Sequence, residues 1–147
     1  MYPEKDYQTS PKNLRKSFLD ELVSNLENDS KFKQFQKYYW GKPGEFITDC
    51  ILWDKNNPYD YPADYQLAIA KSLFVSGRES ARGLHGLGKT AIASWIIHWF
   101  ALTRWDRDWM IPTTASSWTQ LTKFLWPEIH KWSGRIAWSR IGREPYK

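Results

Sequence analysis

Leu14, Phe18, Leu19, Leu22, Val23 and Leu26 recur at helical spacing behind Ser10-Pro11. The pattern predicts an amphipathic helix that starts on a serine cap and a first-turn proline and ends around Asn28-Asp29-Ser30. From Lys31 to Trp40 a second, basic and aromatic stretch reads as helical until Gly41-Lys42-Pro43-Gly44 breaks it. Lysines interleaved with aromatics suit a nucleic-acid surface, but lysine stems flanking a half-buried aromatic face have the same pattern, and we favour the second reading. Asn56 to Pro62 is rich in turn residues, and Asp64 to Phe74 reads as a short helix. After Thr90 an apolar-rich run without Gly or Pro, Ala91 to Arg104, predicts a largely buried helix, with Arg104 near the negative pole of its dipole.

Three segments read as strands. Arg78-Glu79-Ser80-Ala81 stands where a strand would enter the loop before that helix, although it lacks the β-branched residues of a buried parallel strand. Asp108 to Thr114 is the second, its Pro112 marking a strand end or an edge. Ser116-Ser117 then caps a helix carrying Trp118, Leu121, Leu125 and Ile129, kinked at Pro127, and a short strand is expected around Ile136 to Trp138.

Composition narrows the class. The 147 residues allow one domain or part of a larger one, and 41% hydrophobic residues, ten of them Trp, supply a core. A net charge of +5 leans toward acidic partners, nucleic acid first, or serves solubility alone. The single Cys50 excludes an internal disulfide, and three scattered histidines assemble no zinc site. The opening Met-Tyr-Pro-Glu-Lys-Asp is not a signal peptide and no apolar run reaches membrane-spanning length, so the expectation is a soluble, cytoplasmic chain without membrane association.

The strongest chemical pattern is Gly83-Leu84-His85-Gly86-Leu87-Gly88-Lys89-Thr90, which fits the phosphate-binding P-loop, G-x-x-x-x-G-K-[ST]. Glycines let the backbone curl so that successive N–H groups face an anion, and the helix after the loop adds the positive end of its dipole. Lys89 then reaches the β and γ phosphates of ATP, and Thr90 offers its hydroxyl to Mg²⁺. His85 at the loop tip reads as a tolerated exposed residue, and His98 as a packed helix histidine.

With its neighbours this loop resembles the N-terminal part of a bacteriophage terminase large subunit, a DNA-packaging ATPase. The likeness rests on Arg82 leading the histidine-containing loop, on Tyr61-Pro62-Ala63-Asp64-Tyr65-Gln66 upstream, and on Pro112-Thr113-Thr114-Ala115-Ser116 followed by Trp118 to Ile129. It covers about Tyr59 to Trp132, and only the loop is specific by itself. The resemblance implies an α/β chain, a partial RecA-like P-loop fold preceded by N-terminal helices. It divides into a helical region over 1–58 and the first part of an ATPase domain over 59–147. It implies ATP and Mg²⁺ as cofactors, double-stranded DNA as partner together with a portal protein and a small terminase subunit, and the infected cell's cytoplasm as location.

Carried over by position, the resemblance makes Lys89 and Arg82 catalytic, with Arg82 sensing the γ-phosphate; a structural ion pair explains the same arginine. Gln66 reads the adenine edge while Tyr61 or Tyr65 stacks on the ring, or Gln66 is a surface residue of an amphipathic helix. The Thr113 to Ser116 segment, by the same resemblance, contacts nucleic acid or transmits the nucleotide state, or it is a capping turn. The apolar strand ending in Asp-Glu that such motors need for Mg²⁺ and water does not follow Thr90. Cys50 to Asp54 imitates it upstream of the loop. The chain is therefore expected to stop short of the hydrolytic carboxylate and to bind nucleotide with little turnover. A helicase-like translocase and a non-catalytic nucleotide-binding module are the alternative readings.

Overall fold

A computed structural model describes residues 11–57 and 59–145. The opening residues and the cap expected at Ser10 lie outside them. Helix α1 (Pro11–Tyr39) runs for 29 residues and is followed by α2 (Pro43–Cys50), α3 (Asp64–Ser76) and α4 (Lys89–Thr103). A last rod begins as α5 (Trp118–Gln120), widens into a π turn (Leu121–Leu125) and continues as α6 (Trp126–Ser133), and a short α7 (Trp138–Ile141) closes the order. The widening precedes Pro127, which has no N–H to give to the preceding turn, so the helix is re-registered there while remaining continuous.

Among the described residues there is no strand and no sheet, only one isolated antiparallel bridge between Ile51 and Ile136. The expected α/β, RecA-like fold is therefore wrong for this structure, which is helical. The three segments read as strands fail for a common reason. A strand is stable only when neighbours complete its ladder and apolar side chains cover its faces. Arg78 to Arg82 is exposed throughout and offers no apolar face. Asp108 to Thr114 is irregular and largely exposed, with Pro112 removing one ladder donor. Near Ile136 the pairing consists of the Ala137 N–H to Cys50 O and Leu52 N–H to Arg135 O bonds, and Trp138 already opens a helix.

The N-terminal helix does not end at Asn28 to Ser30. Its cap-forming residues are overridden by the next turn, since Phe32 and Phe35 are buried against the body of the molecule and hold the chain helical to Tyr39. Arg143 also reaches back to Asp29 at 2.7 Å. The basic and aromatic stretch is thus a packed aromatic face with its lysines outside. Residues 16–27 of the same helix are exposed, Phe18 and Leu26 among them.

The centre of the molecule is α4. Ile92, Trp95, Trp99 and Leu102 join Phe32, Phe35, Phe46 and Ile47 from the first two helices and Trp132, Ile136 and Ile141 from the C-terminal segment in one core. Trp53, Trp95 and Trp132 pack edge to face or tilted with centroids 5.1 to 5.4 Å apart, a geometry worth about 0.5–1.5 kcal/mol per pair beyond burial. Indole N–H groups anchor the backbone around them: Trp99 Nε1 donates to Tyr39 O at 2.7 Å and Trp53 Nε1 to Ile47 O at 3.0 Å. No described helix is long and apolar enough to cross a membrane.

Candidate phosphate-binding site

The Gly-rich loop joins α3 to α4 at the surface. Gly86 and Gly88 have φ of +85° and +69°, in the left-handed region that side chains disfavour, and the chain passes from Gly88 directly into α4, where Ile92 N–H closes the first bond to Gly88 O at 3.0 Å. A side chain at Gly88 would collide with its neighbour: a Cβ there would lie 2.5 Å from Gln66 Nε2. Lys89 is the first residue of α4, and its ammonium folds back over the loop to donate to Gly83 O at 2.9 Å and Leu84 O at 2.6 Å. Thr90, next along the first turn, is exposed. Both residues belong to the turn whose N–H groups have no partner within the helix.

Behind the loop stands α3. The Tyr65 hydroxyl donates to Leu87 O, and Gln66 Nε2 approaches the same oxygen at 3.5 Å. Gln66 is buried, and its Oε1 accepts the Ala63 N–H at 2.8 Å, so the amide is engaged at both ends by the start of its own helix and by the loop. The two residues expected to read adenine therefore brace the loop from its rear. Tyr61 is placed elsewhere. Its ring meets Trp53 at 5.7 Å in a separate cleft that Asp54 and Asp60 also line. Asp54 is engaged there in a turn, receiving the Asn56 N–H at 2.9 Å and donating its own N–H to Asp60 at 2.7 Å. Arg135 fastens that turn by pairing with Asp60 and donating to Leu52 O, and the pairing holds the Asp60 carboxyl below the usual carboxylate range.

No family model, no curated protein and no solved structure matches this chain. The site rests on its own geometry.

In front of the loop is a cleft of about 550 Å³. One wall is the stretch from His85 to Ala91; the other is formed by Lys123, Phe124, Pro127, Glu128 and Lys131 of the last rod. Three lysines, Lys89, Lys123 and Lys131, thus line the cleft with a single acid among the described residues, Glu128. Glu128 is held by its own helix, with Lys131 Nζ at 3.1 Å on one oxygen and Trp132 Nε1 at 2.6 Å on the other. Arg82, one residue before the loop, is exposed and is not among the residues that line the cleft. Thr113 and Thr114 line an adjoining apolar groove with Ile92, Ile96 and Ile111, which the Lys89 side chain also borders.

His98 is a packed residue, as its place in the apolar run implies. It is buried on α4 with Nε2 3.0 Å from Ile129 O, and burial pushes its pKa below the ordinary histidine range. Burial also pushes the Cys50 thiol up, to about 12, which leaves it a protonated core group. The second wall of the cleft was not singled out by the sequence. Its signal is the spacing of Lys123, Pro127 and Lys131, one line along a helix face, yet nothing local says that this face is opposite the loop.

Proposed function

We propose that the chain binds the phosphates of a nucleoside triphosphate, with Mg²⁺, in the cleft between the Gly83 to Thr90 loop and the last rod. The observation that carries this reading is the position of Lys89: it begins a 15-residue helix, rests on loop carbonyls that an anionic ligand would replace as its partner, and borders a cleft where cations outnumber acids. The residues fit the group. A loop with two left-handed glycines exposes backbone rather than side chains, a Cβ at Gly83 would lie 2.8 Å from Leu87 Cδ1, and Thr90 is exposed beside Lys89 to offer a hydroxyl to the metal. When bound, Mg²⁺ would neutralise phosphate charge; Lys89 would bind and orient the phosphates.

The resemblance extends this reading to the ATP-binding portion of a phage terminase large subunit, acting in the packaging of double-stranded DNA with portal and small-subunit partners. A second reading, a nucleotide-binding module without turnover, is favoured by one observation: the fold around the loop is helical and, among the described residues, lacks the sheet on which such motors carry their hydrolytic carboxylate.

Titration of Mg-ATP by calorimetry tests the common core of both. Lys89→Ala should weaken binding by about 10- to 100-fold through loss of a charge-assisted contact. Equal affinity in the folded variant and the parent overturns the assignment. Phosphate release that is steady in the parent and lost in Lys89→Ala supports the motor, whereas binding without release supports the module.

A further inference from the structure

The second wall of the cleft has a composition of its own. Lys123, Phe124 and Lys131 lie on one face of the rod, while Trp132 on the same rod is buried in the core beneath α4. The π turn is what joins the two halves of this face, since the extra residue in a widened turn rotates everything after it relative to what came before. Lys131 is paired with Glu128, and Glu128 is anchored by the Trp132 indole, so the acid that lines the cleft is engaged within its own helix. Lys123 and Lys89 stand on opposite walls. Like charges facing each other across a cleft are repulsive until a polyanion lies between them.

The aromatic on this wall is Phe124, 60% exposed. The tyrosines and glutamine upstream are otherwise engaged: Tyr61 against Trp53, Tyr65 and Gln66 on the Leu87 carbonyl. A phenyl ring carries no hydrogen-bonding group. It stacks on any base with comparable strength, because every base presents a π face.

We propose that Lys123, Phe124 and Lys131 form the second half of the nucleotide site, the two lysines meeting the phosphates from the side opposite Lys89 and Phe124 stacking on the base, so that the site selects for phosphate charge and is indifferent to base identity. This rests on the phosphate-binding reading of the loop and adds to it a ligand class, nucleoside triphosphates of any base, together with the residues that set it.

Calorimetric titration of the full chain with ATP, GTP, ADP and inorganic tripolyphosphate tests it, each variant first checked for unchanged helical circular dichroism. The parent should bind ATP and GTP within about threefold of one another and ADP at least tenfold more weakly. Lys123→Ala with Lys131→Ala should weaken ATP, GTP and tripolyphosphate alike by tenfold or more, and Lys123→Arg should retain affinity. Phe124→Ala should weaken ATP and GTP equally and leave tripolyphosphate unchanged. If Lys89→Ala loses binding while the double lysine variant binds like the parent, the second wall plays no part and this proposal is overturned with the loop reading intact. A preference for ATP over GTP above tenfold overturns base indifference. A parent that binds none of the four ligands overturns the loop reading and this proposal together.

Discussion

From Ile92 onward α4 buries Trp95, His98, Trp99, Leu102 and Thr103 among the first two helices and the last rod, whereas the loop that leads into its N-terminus is exposed from Gly83 to Leu87. At the buried end several polar groups serve the packing, although Ser94 Oγ and the Trp95 indole N–H are buried without a hydrogen-bond partner among the described residues. The Trp99 indole holds Tyr39 O, the Thr103 hydroxyl donates to Trp99 O at 2.6 Å, and the Arg104 guanidinium lies over Trp40, Trp99 and Phe100 at 4.2 to 4.9 Å. At the open end the polar groups hold the loop itself: Lys89 on two loop carbonyls, Tyr65 and Gln66 on a third, with Gln66 also accepting the Ala63 N–H of its own helix. One helix thus has a closed end that supplies stability and an open end whose contacts are confined to the surface. The open end is where a ligand can exchange for an internal contact at small cost, because no packed side chain must move.

The contrast is broken most severely from the closed end. Trp99→Ala removes a buried indole and with it one donor to Tyr39 O, leaving the Lys42 N–H, and should cost about 3–5 kcal/mol in urea unfolding. A loss under about 1 kcal/mol would mean that this end does not anchor the fold. Gly88→Ala acts at the open end. It forces a Cβ into the left-handed region and onto Gln66, so a destabilisation of about 1–2 kcal/mol is expected, with nucleotide affinity falling as the loop shifts. Full affinity and an unchanged melting temperature in that variant would show that the loop needs neither the left-handed turn nor the brace behind it.

His98→Gln sharpens the comparison with the smallest effect. Because burial lowers the pKa of His98 in the folded chain, the unfolded chain takes up the proton first as pH falls. The stability associated with neutral His98 is therefore complete above about pH 6.5, the unfolded value, and declines as the pH is lowered through the window beneath it. Glutamine can keep a donor toward Ile129 O without titrating, so its melting temperature should vary less between about pH 7 and pH 5 than that of the parent. Parallel profiles would remove His98 as a source of acid sensitivity.

Helices α3 and α4 were legible because their signals are local, an apolar run without breakers after Thr90 and a compact periodic stretch after Asp64. The loop was legible for the same kind of reason. Glycines at fixed offsets followed by Lys-Thr state a helix start, and α4 does begin at Lys89, with Gly86 and Gly88 before it at positive φ. Asn28 to Ser30 misled because cap preference is a weak local tendency against two buried phenylalanines a turn later. Arg78 to Ala81 misled because a strand is defined by its partners, and none of the described residues pairs with it.

By itself, then, the sequence determined the backbone of the loop, the helix it opens and the charge of Lys89, all properties set by residues within a turn or two of each other. Only the tertiary structure decided that Gln66 and Tyr65 brace the loop, that Tyr61 belongs to another cleft, and that Lys123, Phe124 and Lys131 stand across from Lys89. The physical reason is range. Dihedral preference and helical periodicity act between near neighbours, while the wall that faces the loop is chosen by how Trp53, Trp95 and Trp132, distant in the chain, pack into one core.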